Sequence, residues 1–154
     1  MNNRIDFTRY AAPGAYKAMM GLQQYVDNCG LERSLLDLVL VRVSQINGCA
    51  YCIDMHTKGA RAHGESERRL YELDAWRESP FYTDRERAAL SWSEAVTLVT
   101  VGHVPDEVYA EAHSLFSDTE LINLTLAVTL INSWNRISIA FRKQPGEPEL
   151  ALAA

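Results

Sequence analysis

The stretch "LERSLLDLVLVRVSQINGCAYCIDMH", residues 31–56, decides the fold. Val39, Val41 and Val43 alternate as they would in a strand. Charged Glu32, Arg33, Asp37 and Arg42 punctuate the segment, and the run from Leu35 to Ile46 is long for a strand. No second convincing strand exists elsewhere for it to pair with. The segment is therefore predicted to be a buried helix, apolar on most faces. Asn47-Gly48 breaks it. A further helix is predicted from near Cys49 to about His63, ended by Gly64.

Outward from there, the chain reads as helices joined by short turns. "AAPGAYKAMMGLQQYVDNCG" (11–30) sets Ala15, Met19, Leu22 and Val26 at steps of three and four, and Gly30 stops it. Ser66 opens a short helix, "SERRLYELDAW", and Pro80 marks a linker. Thr83 and Glu86 form a capping box before "DRERAALSWSEAVTLVT", which Gly102 ends. Pro105 sits at the first turn of "PDEVYAEAHSLF". Ser117 and Glu120 box the last helix, which runs to about Phe141. That helix is more apolar than one amphipathic stripe requires, so it lies at the centre of a bundle or also faces another subunit. The Pro/Gly/Glu-rich tail, 143–154, is expected to be loose. The prediction is an all-α fold of about seven helices, one domain over residues 1–154.

The composition suits this. A chain of 154 residues, 47% hydrophobic and 23% charged, fits one domain with a proper core. Net charge is -5 and no Lys/Arg cluster stands out, so nucleic acid is not an expected partner. The richest apolar stretch, "LINLTLAVTLINSW" (121–134), is short and punctuated by Asn, Thr and Ser, so no membrane span is expected. "MNNRIDFTRYAAPGAY" at the start holds no continuous apolar run, so a cytoplasmic location is expected. Three cysteines, an odd number, do not suggest a disulfide framework. Cys29, beside Gly30 at a helix end, is given no role.

Cys49 and Cys52 sit three apart at a helix start, about 5–6 Å between Cβ atoms in regular geometry. A disulfide needs about 3.5–4.5 Å, so a small distortion of the first turn would close it. First-turn N–H groups also stabilise a thiolate. His56 follows Cys52 by four residues, on the same face, where an imidazole can serve as base, acid or relay. Lowering a thiol by two pKa units takes roughly 2.7 kcal/mol, within reach of a helix start and a histidine together. Rival readings remain. A structural zinc site wants four ligands and finds three, Cys49, Cys52 and His56. A c-type haem needs His directly after the second Cys, where Ile53 stands. A thioredoxin-like motif needs strands around it. Two small buried thiols would explain the cysteines but not the grouping with Gly48 and His56. No metal and no cofactor are expected.

These residues carry a family resemblance. "DLVLVRVSQINGCAYCIDMHTKGAR" (37–61) closely resembles the core of the carboxymuconolactone decarboxylase-like superfamily, in its alkylhydroperoxidase D (AhpD)-like branch. "FYTDRERAALSWSEAVT" (81–97) and "INSWNRI" (131–137) are similar to members too, so the likeness spans roughly residues 4 to 141. The resemblance implies an all-helical subunit that associates as a trimer or hexamer. It implies peroxidase or thiol–disulfide chemistry using both cysteines. The family's proton relay has a Glu twelve residues before the first Cys and a His four after the second. His56 matches the His. The Glu position holds Asp37, a carboxylate on an arm one methylene shorter. The best-known enzyme of the type has a His between its cysteines, where this chain has Ala50-Tyr51. The CxxC pair points away from decarboxylation.

The expected function is therefore a two-cysteine peroxidase acting on a hydroperoxide and re-reduced by a dithiol or disulfide-reductase donor. Cys52 attacks, by resemblance and by its spacing to His56; Cys49 resolves; Asp37 orients His56 or passes protons through water. Position alone argues for Cys49, nearer the helix start. The alternatives are a redox-responsive oligomeric scaffold, a thiol–disulfide oxidoreductase without peroxidase activity, and a metal-binding protein. Of the remaining candidates, Trp134, Asn135 and Arg136 are read mainly as packing or contact residues, and Ser44 and Gln45 as helix packing. His103 is read as a turn residue, and His63 and His113 as exposed helix ends. Trp92 and Glu94 are weak candidates for the thiol pocket.

Overall fold

The computed structural model describes residues 2–146. Among them it is all-helical: α1 (Phe7–Tyr10), α2 (Pro13–Asp27), α3 (Arg33–Asn47), α4 (Ala50–Ala62), α5 (Glu67–Tyr71), a 3₁₀ turn (Leu73–Ala75), α6 (Asp84–Thr97), α7 (Asp106–Leu115) and α8 (Asp118–Phe141). The seven predicted helices are present. The additional one, α1, is a single turn capped by the Asp6 side chain, too short to leave a periodic signal.

The valine-rich segment is helical because it has two cores to fill. Val39 and Val43 face one cluster, which holds Leu124, Val128 and Ile131 of α8 and both Cys49 and Cys52. Val41 and Leu38 face a second, with Ala60, Leu70, Leu73, Trp76, Tyr82 and Leu90. Alternating valines thus reach opposite walls of one helix rather than opposite faces of a sheet. Helix α3 packs against α4, α6 and α8. Gly48 closes it in the left-handed region at φ +67°, a conformation that glycine adopts without a Cβ penalty.

Capping boxes start α6, through Thr83 and Glu86, and α8, through Ser117 and Glu120. Helix α8 runs through the interior, burying Leu121, Leu124, Val128, Leu130 and Ile131. The central position accounts for most of its apolar excess. Helix α6 stops at Thr97, short of the expected Gly102. Leu98, Val99 and Val101 are exposed, so no burial rewards a longer helix there. Gly102 and His103 both take positive φ in the turn that follows.

The start of the tail touches α4. The Lys143 ammonium lies 4.5 Å from the centre of the Tyr51 ring, and the Gly146 N–H donates to Asp54 Oδ2 at 3.3 Å. Residues 143–146 therefore rest on α4. Residues 147–154, the rest of the segment read as loose, lie outside the described residues. No single helix among the described residues is long and apolar enough to cross a membrane.

Candidate active site

Cys49 is the N-cap of α4 and Cys52 stands in its first turn. Both are 1% exposed, and their sulfurs lie 2.8 Å apart as thiols. The left-handed turn at Gly48 delivers the chain to this start, so the spacing read from sequence becomes a real contact.

Helix α8 supplies the other wall. Ser138 Oγ lies 3.7 Å from Cys52 Sγ. Asn135, fully buried, donates to Ser44 Oγ at 3.1 Å and accepts from Asn47 Nδ2 at 2.8 Å. Asn47 also donates to Asn132 Oδ1 at 3.0 Å. The end of α3, the start of α4 and the middle of α8 are thus locked together at the sulfurs.

The two thiols do not ionise alike. Cys49 is drawn down to about 7, chiefly because the Cys52 thiol faces it as a donor. Burial opposes this; the Cys52 backbone N–H, Ser138 and Asn135 reinforce it. Cys49 makes no full cap hydrogen bond, so the backbone contribution is secondary. Cys52 is pushed up, first by holding the shared proton against Cys49 and then by burial. When the pair loses its first proton, the negative charge rests on Cys49 and Cys52 keeps the other.

A cavity of about 400 Å³ opens beside Cys52. Met20, Tyr51, Met55 and Trp134 form its apolar wall, while Gln23, Asp27, Arg33, His56, His63 and Ser138 supply polar groups. Trp134 is pinned by its indole N–H to Gln23 Oε1 at 3.1 Å. Cys52 borders this cavity and Cys49 does not line it.

His56 lines the same cavity, and its Nε2 is buried without a hydrogen-bond partner. Burial, followed by repulsion from Arg33, lowers His56 to about 4. This has a consequence for stability. Above pH 6.5 His56 is neutral in the folded and unfolded chain alike. Between about 6.5 and 4 the unfolded chain takes a proton that the folded chain refuses, so stability falls as pH falls. The loss approaches about 3 kcal/mol below pH 4. Urea unfolding between pH 7 and pH 4 is expected to show that slope, and His56→Gln to flatten it. An unchanged slope in the variant would refute the burial of a neutral imidazole.

Asp37 does not meet His56. Its Oδ1 accepts from Arg33 Nε at 3.0 Å and its Oδ2 pairs with His63 Nδ1 at 2.7 Å. A direct Asp37–His56 contact is absent and Asp37–His63 stands in its place, while the other reading, proton passage from Asp37 through water, is a matter of proposal. The shorter arm of Asp is satisfied by a neighbour one turn back on its own helix and by the far end of α4. His63, read as an exposed helix end, does cap α4 and is half exposed, yet it is also the partner of a buried carboxylate.

Other candidates fall elsewhere. Trp92 donates to Thr125 Oγ1 at 3.0 Å. Glu94 accepts from Arg42 and from Trp76, each at 2.8 Å, and from Arg77 at 2.6 Å. Neither lines the thiol cavity. His103 sits exposed in a turn, and His113 pairs with Asp118 at 2.9 Å. Among the described residues no three His, Cys, Asp or Glu side chains stand where they could share a metal ion. Arg33 and Ser138 were not singled out from sequence. Ser138 follows Asn135 by three residues and Trp134 by four, and that helical spacing was the available signal.

A sequence profile of the carboxymuconolactone decarboxylase family matches residues 13–95. The chain belongs to that family. The match spans α2 to most of α6 and includes the whole CxxC segment. YdfG, an uncharacterized protein of Bacillus subtilis, is 44% identical over 140 residues, 91% of this chain and 95% of its own. YnjA of Escherichia coli, also uncharacterized, is 35% identical over 115 residues, 71% of this chain and 62% of YnjA. A crystal structure from Agrobacterium tumefaciens, of a protein of unknown function described as a candidate antioxidant defence protein AhpD, superposes with a TM-score of 0.91 at 43% identity. It covers 96% of this chain and 100% of its own. The debrominase Bmp8 has a TM-score of 0.76 at 22% identity over 88% of this chain and 73% of its own, a likeness of fold alone. The resemblance read from the motif and the family profile agree.

Proposed function

We propose that the protein is a thiol peroxidase that reduces a hydroperoxide through a Cys49–Cys52 dithiol–disulfide cycle. One observation carries this reading: two thiols 2.8 Å apart, one of them bordering a cavity that also holds the unpartnered nitrogen of His56. The AhpD description of the Agrobacterium relative adds support.

Cys52 is the attacking sulfur, because it faces the cavity. Its proton passes to the Cys49 thiolate, which acts as the base. The Cys52 sulfur bonds to the distal peroxide oxygen, the O–O bond breaks, and an alkoxide leaves and takes a proton. Cys49, now a thiol, condenses with the Cys52 sulfenic acid, forming the disulfide and releasing water. A dithiol or disulfide-reductase donor restores the pair. Neutral His56 hydrogen-bonds the bound peroxide through Nε2 and hands protons on without storing one. Charge and access divide between the cysteines: Cys49 holds the charge, Cys52 holds the approach.

A second reading, thiol–disulfide exchange without peroxidase activity, is favoured by the same lowered thiol. Self-association as a trimer or hexamer is also proposed, supported by the exposed apolar side chains Tyr109 and Ile122 beside Leu126.

Thiol counting tests the cycle. One equivalent of cumene hydroperoxide is expected to remove two thiols per chain, restored by dithiothreitol, with Cys29 remaining reactive. No loss of thiols would exclude the peroxidase reading. Loss with a dithiol-specific disulfide but not with hydroperoxide would favour the second.

A further inference from the structure

The leaving alkoxide needs a proton on the cavity side, and the step in which Cys49 acts as the thiolate base does not supply it. In that form the pair holds one proton and a hydroperoxide brings another. The products, an alcohol and water, contain three. One proton then enters from solvent in the oxidising half of the turnover, and one leaves when the dithiol donor restores the pair.

His56 is unsuited to supply it. Burial keeps its ring neutral, so it can relay a proton but not carry one in. Arg33 does not release protons under these conditions. Asp27 and Asp37 are both engaged in ion pairs with Arg33.

His63 differs in each respect. It borders the same cavity as Cys52 and His56. Its side chain is 44% exposed, against 4% for Asp37. Its Nδ1 is fixed at 2.7 Å from Asp37 Oδ2, and Arg33 Nε holds the other oxygen at 3.0 Å. Cys52, His56 and His63 fall at i, i+4 and i+11 along α4, one continuous face. His63 stands about 16 Å along the helix axis from Cys52 and about 10 Å from His56. The cavity between is roomy enough for water to bridge those gaps.

We propose that His63, oriented by Asp37, is the proton port of this site. It exchanges protons with solvent at the cavity mouth and passes them through cavity water and His56 to the leaving oxygen. It is a positioning residue of the relay and does not touch the sulfurs. A buried carboxylate on an outward-facing imidazole fixes which nitrogen faces the cavity, which a solvent-facing histidine does not otherwise need. This inference rests on the redox pair of the proposed function, and its test separates the two.

The reduced protein is mixed at pH 7 with three oxidants, and formation of the disulfide is followed by Trp134 fluorescence and by mass. Cumene hydroperoxide and 2-hydroxyethyl disulfide both leave as groups that need a proton. Dithiobis(nitrobenzoate) leaves as a stable thiolate; its first thiolate release, read by absorbance, needs no proton from solvent, because the Cys52 proton passes to Cys49. His63→Gln keeps a hydrogen bond to Asp37 but has no ring nitrogen to take up and hand on a proton. The variant is expected to react roughly tenfold more slowly with the first two, less than the hundredfold or more of a lost direct general acid because cavity water partly replaces a relay group, and within twofold of the parent with the third. Added imidazole is expected to restore the lost rate. Equal slowing with all three oxidants means a structural role and overturns the proposal. So does no slowing, or a parent protein inert to both proton-requiring oxidants. A parent that ignores hydroperoxide, with His63→Gln slowed on the alkyl disulfide alone, removes the peroxidase reading and leaves the proton port standing.

Discussion

Cys52→Ser is expected to bring hydroperoxide consumption down to the uncatalysed background. The serine hydroxyl is a far weaker nucleophile near neutral pH, and Cys49, left as a lone thiol, does not line the cavity. Cys49→Ser is expected to behave differently. Cys52 still faces the cavity, so it reaches the sulfenic acid and stops there, one equivalent of peroxide per chain, trappable by dimedone. That variant is also slower in its first step, because the thiolate base is gone. The contrast between no consumption and one arrested equivalent is the signature of an ordered pair. The reverse pattern, with Cys49→Ser inert and Cys52→Ser arrested after one equivalent, would reassign the attack to Cys49. Full turnover by either variant would end the two-cysteine cycle. Cys52→Ala serves beside Cys52→Ser, so that a poorly placed hydroxyl is not mistaken for a lost nucleophile. Circular dichroism checks that each variant is folded.

The second large effect concerns stability and lies away from the sulfurs. Glu94 of α6 is a staple to two further segments, through Arg42 of α3 and through Trp76 and Arg77 after the 3₁₀ turn. Burial works against its charge, but those three donors hold its carboxyl below the usual range. Arg42 and Glu94 are 12% and 13% exposed at the side chain. Glu94→Leu leaves the indole N–H without its acceptor and removes one of the guanidinium's two carboxylate partners. Removing one partner of a buried pair costs about 3–5 kcal/mol. Asp74 remains as a partner for Arg42, so the lower end, about 3 kcal/mol, is expected. With a urea slope of about 2 kcal/mol/M the midpoint falls by about 1.5 M. The folded fraction should keep its thiol reactivity, since Glu94 does not line the cavity. The double variant Arg42→Met, Glu94→Leu should recover part of the loss. A loss under about 1 kcal/mol in the single variant would show that the staple is solvated and weak.

Those two sites divide what the chain reveals before it is folded. The Cys49–Cys52–His56 grouping is local to one helix, and its geometry follows from the helical repeat. Gly48 marks the break because a left-handed turn needs it. The capping boxes at Thr83 and Ser117 are equally local. What was not legible is what several helices bring together. The partner of Asp37 is set by where α4 ends relative to α3, which the family resemblance, linking Asp37 to His56, does not carry. Asn135 and Ser138 reach the sulfurs only because α8 crosses the start of α4. Glu94 was weighed for the thiol pocket, yet α6 turns it toward Arg42 and Trp76 on the other side of α3.

Helix α3 has apolar contacts on both sides, and this ties the fates of the two compartments. Neither cluster can open without exposing a wall of the other. The thiols sit in one compartment and the Glu94 staple braces the other, so their coupling runs through the global equilibrium between native and denatured chains. Damage at the staple would be felt at the sulfurs as fewer competent molecules, each one unaltered. Selection on the chemistry of the pair would then act on residues that never approach it.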